Sequence, residues 1–283
     1  MNKTIYIHMG LHKTGTTSLQ EILSNNKQLL KNQGFYYPIS NLFVRNHSIP
    51  IYSAFCTYPE KYHMNSTFSK KQLLYRNVKI LNEFNEILNK YNNIILSGED
   101  ISSLTKDELI HFKCYIQKYG FNIIPIIVIR SPYSWYNSRI NYLIRQGNFR
   151  NYINYDNNLI EKITKLKKNF NDCNIIFIPY NKQKQHSLGI VGIIMDSLHI
   201  NYSKFKYLYK RENIAYSNLT IRYKNEQNKT NYNKEIKIWN DTNPFRLTKK
   251  ELSIVMDKIK IENDYLMNEF GKEFCDIDFP TCD

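Results

Sequence analysis

The sequence predicts an α/β fold, a P-loop-like three-layer arrangement with a mainly parallel central sheet flanked by helices. Three observations carry this expectation. Short β-rich runs (Thr4–Met9, Asn93–Ser97, Phe121–Ile129 and Asn174–Pro179) alternate with longer stretches of helical period. The run FNIIPIIVI at Phe121–Ile129 is continuous enough to be a central strand covered on both faces. The first run leads through a glycine-bearing loop directly into a helical stretch, the context in which phosphate loops occur.

Each element follows from local chemistry. After the strand Thr4–Met9 and the loop Gly10–Gly15, Thr16–Leu30 reads as a helix with Leu19, Ile22, Leu23 and Leu30 near one face. Ser69–Tyr91 is a long helix in which Leu73, Leu74, Val78, Leu81, Phe84 and Leu88 follow the 3-4 spacing. Asn93–Ser97 is a buried strand ending at Gly98-Glu99-Asp100. Thr105–Tyr119 is a helix opened by the capping box Thr105/Glu108 and closed by Gly120. Pro125, inside the strongest strand, predicts a bulge or an early entry. Ser131 is expected to N-cap the next helix, with Pro132 at its first position. Later helices are expected around Leu188–Leu198 and over Thr248–Phe270, the latter opening on the box Thr248/Glu251. Pro38–Phe68 and Tyr202–Asn243 lack a clear period and are expected as irregular walls of a binding site. No repeat or long linker interrupts the chain, so residues 1–283 are expected to form a single domain.

Composition narrows the class. With 42% hydrophobic and 23% charged residues, the 283-residue chain is of ordinary globular type. No run approaches the ~18 apolar residues of a membrane span, and the N-terminus has no signal-peptide pattern, so a cytoplasmic protein is expected. Five scattered cysteines with no C-x-x-C pair argue against a disulfide framework and a zinc site, and no metal is expected. The net charge of +14 favours phosphate, sulfate, nucleic acid or acidic polysaccharide without choosing among them.

The loop chooses more sharply. Gly10-Leu11-His12-Lys13-Thr14-Gly15-Thr16-Thr17 joins strand to helix, where inward N–H groups and the helix N-terminus hold an anion. Thr16, Thr17 and Ser18 add hydroxyls, and Lys13 adds a cation. A nucleoside triphosphate loop needs lysine immediately after its second glycine; here Thr16 stands there and the lysine is Lys13, two residues before Gly15.

Lys13-Thr14-Gly15-Thr16-Thr17-Ser18-Leu19 resembles the 5′-phosphosulfate loop of the sulfotransferases, and His8–Gln20 is similar to the form found in bacterial carbohydrate-type members. The resemblance implies 3′-phosphoadenosine 5′-phosphosulfate (PAPS) as donor, with 3′-phosphoadenosine 5′-phosphate as product. It also implies a hydroxyl-bearing acceptor, a carbohydrate before other alcohols, with an extracellular polysaccharide, a lipid-linked sugar and a smaller alcohol all left open; no nucleic-acid partner is expected. His12, Lys13, Thr14, Gly15, Thr16, Thr17 and Ser18 would hold the 5′ end. Ile127–Ser138 (IVIRSPYSWYNS) resembles the family's 3′-phosphate motif, an arginine at a strand end with a serine eight residues later: Arg130 and Ser138. Ser138 also lies about two helical turns after Ser131, on one face with it. Trp135 and Tyr136 fit core packing better than adenine stacking. Tyr209–Asn225 is faintly like a later cofactor-lining segment, which adds Asn213 and Ser217. The R-K-G-x-x-G loop of small-molecule sulfotransferases is absent, which leaves open what closes over the 3′-phosphate.

For the catalytic set, Lys13 is expected to neutralise the leaving phosphate oxygen. His47, in Arg45-Asn46-His47-Ser48, is the first choice as general base, with Glu99 as its rival, Asp100 below it, and His8 expected to be structural. Two other readings stand beside this one. A nucleotide-dependent kinase with a variant P-loop shares the loop architecture, and a non-catalytic basic RNA- or polyanion-binding protein shares the charge.

Overall fold

The strands are β1 (Lys3–His8), β2 (Asn93–Ser97), β3 (Phe121–Ile129) and β4 (Ile176–Pro179). They form one sheet in the order β2-β1-β3-β4, and every pair is parallel. The structure, a computed structural model, describes residues 3–148, 156–206, 216–229 and 243–276. In chain order its helices are α1 (Thr16–Asn25), α2 (Lys27–Asn32), α3 (Ser48–Phe55), α4 (Lys70–Lys90), α5 (Lys106–Gln117) and α6 (Pro132–Arg145). They continue with α7 (Leu159–Asn169), α8 (Gly189–Ser197), α9 (Asn218–Lys229), α10 (Lys249–Leu252) and α11 (Met256–Phe270). The chain divides into two compact units, Met1–Ile129 with Glu161–Lys210, and Arg130–Ile160 with Arg211–Asp283.

The first unit holds the sheet. Parallel strands need both faces covered, and the two side-chain registers of these strands are both apolar. On one face Ile95, Ile126, Val128 and Ile178 pack against Leu19, Ile22 and Leu23 of α1 and Ile190, Val191 and Ile194 of α8. The alternate register (Ile5, Ile7, Leu96, Ile127 and Ile129) is also buried, and α5 packs against β3 with Leu109, Phe112 and Ile116 inside. Helices on both faces make this the three-layer α/β arrangement. Complete burial of each such aliphatic side chain contributes about 1.5–3 kcal/mol before entropy is counted.

Pro125 sits in β3 without a bulge: the register runs through it, opposite Ile7. Ile126 gives its carbonyl to the Met9 N–H at 3.0 Å on the β1 side, which turns the nitrogen of Pro125 the other way. Pairing with β4 starts only at Ile126, so no strand there asks proline for a donor.

Other boundaries differ from the expectation for identifiable reasons. The helix expected over Thr16–Leu30 breaks at Asn26, whose amide donates to the carbonyls of Ile22 (2.8 Å) and Lys206 (2.9 Å). The same side chain accepts the Lys206 N–H at 2.7 Å. Within the stretch expected to be irregular, Ser48–Phe55 is helical; its residues are apolar on most sides, so no stripe marks it. In α4 the buried set is Leu73, Ile80, Phe84, Ile87 and Leu88. Leu74 and Val78, expected on that face, are exposed instead. The boxes at Thr105/Glu108 and Thr248/Glu251 are both formed. A third, Ser69/Gln72, opens α4.

The second unit is helical in its described residues. Trp135, Tyr136, Ile140 and Ile144 of α6 pack with Ile221, Leu252, Val255 and Ile259. Trp135 and Tyr136 are therefore core residues. The helix expected over Thr248–Phe270 is interrupted between α10 and α11. No described helix is long and apolar enough to cross a membrane.

Candidate functional site

The loop between β1 and α1 departs from ordinary backbone at two residues. Lys13 has φ +69° and Gly15 has φ +86°, both in the left-handed region. Glycine reaches this region without a steric cost, whereas lysine there is strained, a feature that clusters at functional sites. Gly15 is also the N-cap of α1, and no side chain caps that helix. A Cβ at Gly15 would lie 2.7 Å from Cγ2 of Ile190, so packing and backbone both require glycine. The first helical bond runs from the Leu19 N–H to the Gly15 carbonyl at 3.2 Å. The amides just before Leu19 thus have no intrahelical acceptor and carry the positive end of the helix dipole.

Beneath the loop lies a small polar cradle. Thr16 is 4% exposed and its Oγ1 has no hydrogen-bond partner among the described residues; His8 is 1% exposed and its Nε2 has none among them either. Both face Gly10, where a Cβ would lie 2.5 Å from Thr16 Oγ1 and 3.1 Å from His8 Nε2. The other ring nitrogen of His8 is bonded to Ser97 Oγ at 2.9 Å. Burial pushes the His8 pKa down to about 4 against the opposing pull of Glu99, so the ring is neutral at pH 7. Thr14 is spent on the loop itself, its hydroxyl donating to the Leu11 carbonyl at 2.5 Å. Thr17 is exposed and Ser18 half-buried.

An acid pair stands beside the loop at the end of β2. The Gly98 N–H donates to the His8 carbonyl at 3.0 Å, which fixes where Glu99 and Asp100 emerge. His12, expected to touch phosphate, is exposed and reaches the acids: Nδ1 is 3.5 Å from Glu99 Oε2 and Nε2 is 3.7 Å from Asp100 Oδ1. Burial alone would raise the Glu99 pKa, but the His12 hydrogen bond and the charges of His12, Lys13 and His8 outweigh it. The net direction is down. Asp100 accepts the Tyr62 hydroxyl at 2.7 Å, and its N–H donates to Ser48 Oγ at 2.9 Å. Burial first, then Asp100, holds the Tyr62 hydroxyl far above the usual phenol range.

His47 occupies a different role from the one expected. It is fully buried, and the Ser97 N–H donates to its Nδ1 at 3.0 Å. Nε2 must then carry the proton, which it donates to the Pro38 carbonyl at 2.8 Å. No ring lone pair remains to take a proton from a substrate. Burial lowers its pKa to about 4, only partly offset by the Pro38 bond. The ring lies against Tyr37 at 4.5 Å between centroids and ties Pro38 to the end of β2. Gln20, absent from the sequence-based set, shares this support: its amide donates to Asn46 Oδ1 (3.2 Å) and to the Ser97 carbonyl (3.1 Å).

In the second unit Arg130 precedes α6, and its Nε donates to Ser134 Oγ at 3.0 Å. Ser138 lies one turn beyond Ser134, half-buried. Arg130, Ser134 and Ser138 therefore follow a single i, i+4, i+8 row, and Ser134 is an addition that only the structure supplies. The α6 N-terminus is not capped by the Ser131 side chain. Asp276 caps it instead, accepting the N–H groups of Tyr133 (2.7 Å) and Ser134 (3.0 Å) and the Ser131 hydroxyl (2.6 Å). Asp276→Ala should cost about 1–3 kcal/mol in a urea titration, because three donors lose their acceptor. Asp276→Asn should recover part of this through its amide oxygen.

Ser217 caps the first turn of α9, bonded to Thr220 Oγ1 at 2.9 Å and accepting the Thr220 N–H at 3.3 Å. Asn213 lies outside the described residues.

No protein-family model matches the chain, and no curated protein matches it. Among solved structures, one from the PezAT chromosomal toxin–antitoxin system of the human pathogen Streptococcus pneumoniae is similar at a TM-score of 0.35 and 14% identity. The match covers 72% of this chain and 80% of that chain.

Proposed function

We propose that this chain transfers a sulfuryl group from PAPS to an acceptor hydroxyl. The observation that carries the reading is the loop at the open N-terminus of α1, with strained Lys13 before left-handed Gly15. The partnerless Thr16 Oγ1 and His8 Nε2 below it fit an oxygen-rich anion and would be costly to leave unmet. The likeness of His8–Gln20 to carbohydrate-type enzymes favours a carbohydrate as the acceptor.

In this reading the acceptor oxygen attacks sulfur while its proton passes to the Glu99 carboxylate. The bond from sulfur to the 5′-phosphate oxygen breaks, and the electron pair leaves on that oxygen. Lys13 and the first amides of α1 offset the charge that develops there. The base is Glu99 rather than His47, because Glu99 is held ionised and His47 has both nitrogens engaged. By its likeness to the family's 3′-phosphate motif, Arg130 with Ser138 is assigned that phosphate, with Ser134 on the same row and the arginine making a charge-assisted pair.

Calorimetric titration tests this directly, with 3′-phosphoadenosine 5′-phosphate, ATP with Mg²⁺, and an oligonucleotide run in parallel. Binding of the first is expected, with a loss of at least roughly tenfold in Arg130→Ala. A clear preference for ATP or for the oligonucleotide would overturn the reading.

A further inference from the structure

Between Tyr58 and Lys79 six large apolar side chains stand on the surface: Tyr58, Met64, Phe68, Leu74, Tyr75 and Val78. Leu74 is 70% exposed and Tyr75 63%. On α4, Leu74, Tyr75 and Val78 occupy the side away from the buried Ile80 and Phe84, as their spacing requires. The segment before α4 folds back onto its first turns. Arg76 Nη1 donates to Asn65 Oδ1 at 3.4 Å, and Lys70 lies 3.5 Å from Glu60. These contacts set the segment that carries Tyr58, Met64 and Phe68 beside the first turns of α4.

Cations are interleaved with them. Residues 58–79 carry five Lys or Arg (Lys61, Lys70, Lys71, Arg76 and Lys79) against one acid, Glu60, a local excess of four. Three of these cations lie over the rings themselves: Lys61 4.4 Å from the Tyr58 centroid, Lys79 4.4 Å from Tyr75 and Arg76 5.3 Å from Phe68.

We propose that this face docks on an anionic lipid bilayer. Exposed aliphatic and aromatic side chains flanked by lysines are what an interfacial helix presents, the apolar atoms entering the acyl boundary and the ammonium groups meeting headgroups. A protein partner fits less well, because the cores of protein interfaces are depleted in lysine. Nucleic acid would leave Leu74, Val78 and Met64 without a counterpart, since base stacking uses planar side chains. Tyr62, buried behind the exposed side chains of this segment, donates its hydroxyl to Asp100. Docking requires no donor nucleotide, so its failure leaves the sulfuryl-transfer reading untouched.

The test is cosedimentation of the full chain with phosphatidylcholine vesicles and with mixed phosphatidylcholine–phosphatidylglycerol vesicles. Binding to the mixed vesicles is expected to be at least roughly tenfold tighter and to weaken as salt is raised. Leu74→Glu with Val78→Glu should abolish it, and Lys71→Glu with Lys79→Glu should erase the preference for anionic lipid. These positions are exposed, so unfolding midpoints should stay near the parent value. Equal partition onto both vesicle types, or binding unchanged in the Leu74/Val78 variant, overturns the proposal. So does a concentration-dependent dimer that the same variant dissociates, or oligonucleotide binding in place of vesicle binding.

Discussion

Lys13→Gly is expected to cut sulfuryl transfer by roughly 10²–10³-fold while leaving the folded protein as stable as before, or slightly more so. The two effects separate because Lys13 combines a charge with a backbone conformation that suits glycine. Its φ of +69° places a Cβ in the crowded left-handed region, so glycine relieves strain at the cost of more entropy in the unfolded chain. In the proposed reaction the ammonium group would act on charge that develops only as the bond from sulfur to the phosphate oxygen breaks. Its loss should therefore appear in kcat more than in affinity for 3′-phosphoadenosine 5′-phosphate. Lys13→Ala should match it in rate and fall below it in stability, since alanine keeps the Cβ. Single-turnover rates with urea titrations on the same samples measure both quantities. If Lys13→Gly transfers sulfuryl groups within a few fold of the parent, the lysine does not carry the leaving-group charge.

What the sequence made legible was whatever is decided locally. Phe121–Ile129 announces a buried strand because nearly every residue in it is apolar, and the boxes Thr105/Glu108 and Thr248/Glu251 close within a single turn. The anion loop is local too: Gly10–Thr17 holds its glycines, its lysine and its hydroxyls in one short run. Three of the misses are settled at a distance. In α4 the 3-4 spacing admits two leucine stripes, and only the surface the helix packs against selects Leu73 over Leu74. The cap of α6 comes from Asp276, 145 residues beyond Ser131, so a locally sufficient serine gave no reason to look further. His47 looked available because its short neighbourhood is polar. The carbonyl of Pro38 and the N–H of Ser97 that consume its ring meet it only in the fold.

Glu99→Gln should lower kcat by roughly 10²–10⁴-fold, the usual span for removing a general base. A glutamine keeps the shape of the side chain and cannot take the acceptor proton. The pH profile makes the assignment specific. Burial works to raise the Glu99 pKa, yet the His12 hydrogen bond and the nearby charges bring it below the ordinary carboxylate range. Glu99 is therefore ionised at neutral pH, and if it is the base of the proposed reaction, kcat/KM, which reports the free enzyme, should fall only when the pH drops below that range. His12→Ala removes the chief opposing influence and lets burial dominate, so the acid limb should move to higher pH. An anionic donor bound beside Glu99 disfavours its charged form as well, which places the acid limb of kcat above that of kcat/KM. His47→Ala provides the contrast. Losing its two buried bonds and ring packing should cost about 2–4 kcal/mol of stability. Neither limb should move, because both ring nitrogens of His47 are engaged by Pro38 and Ser97. A limb that follows His47 and ignores His12 would return the base to the histidine and leave Glu99 as a partner of His12 alone.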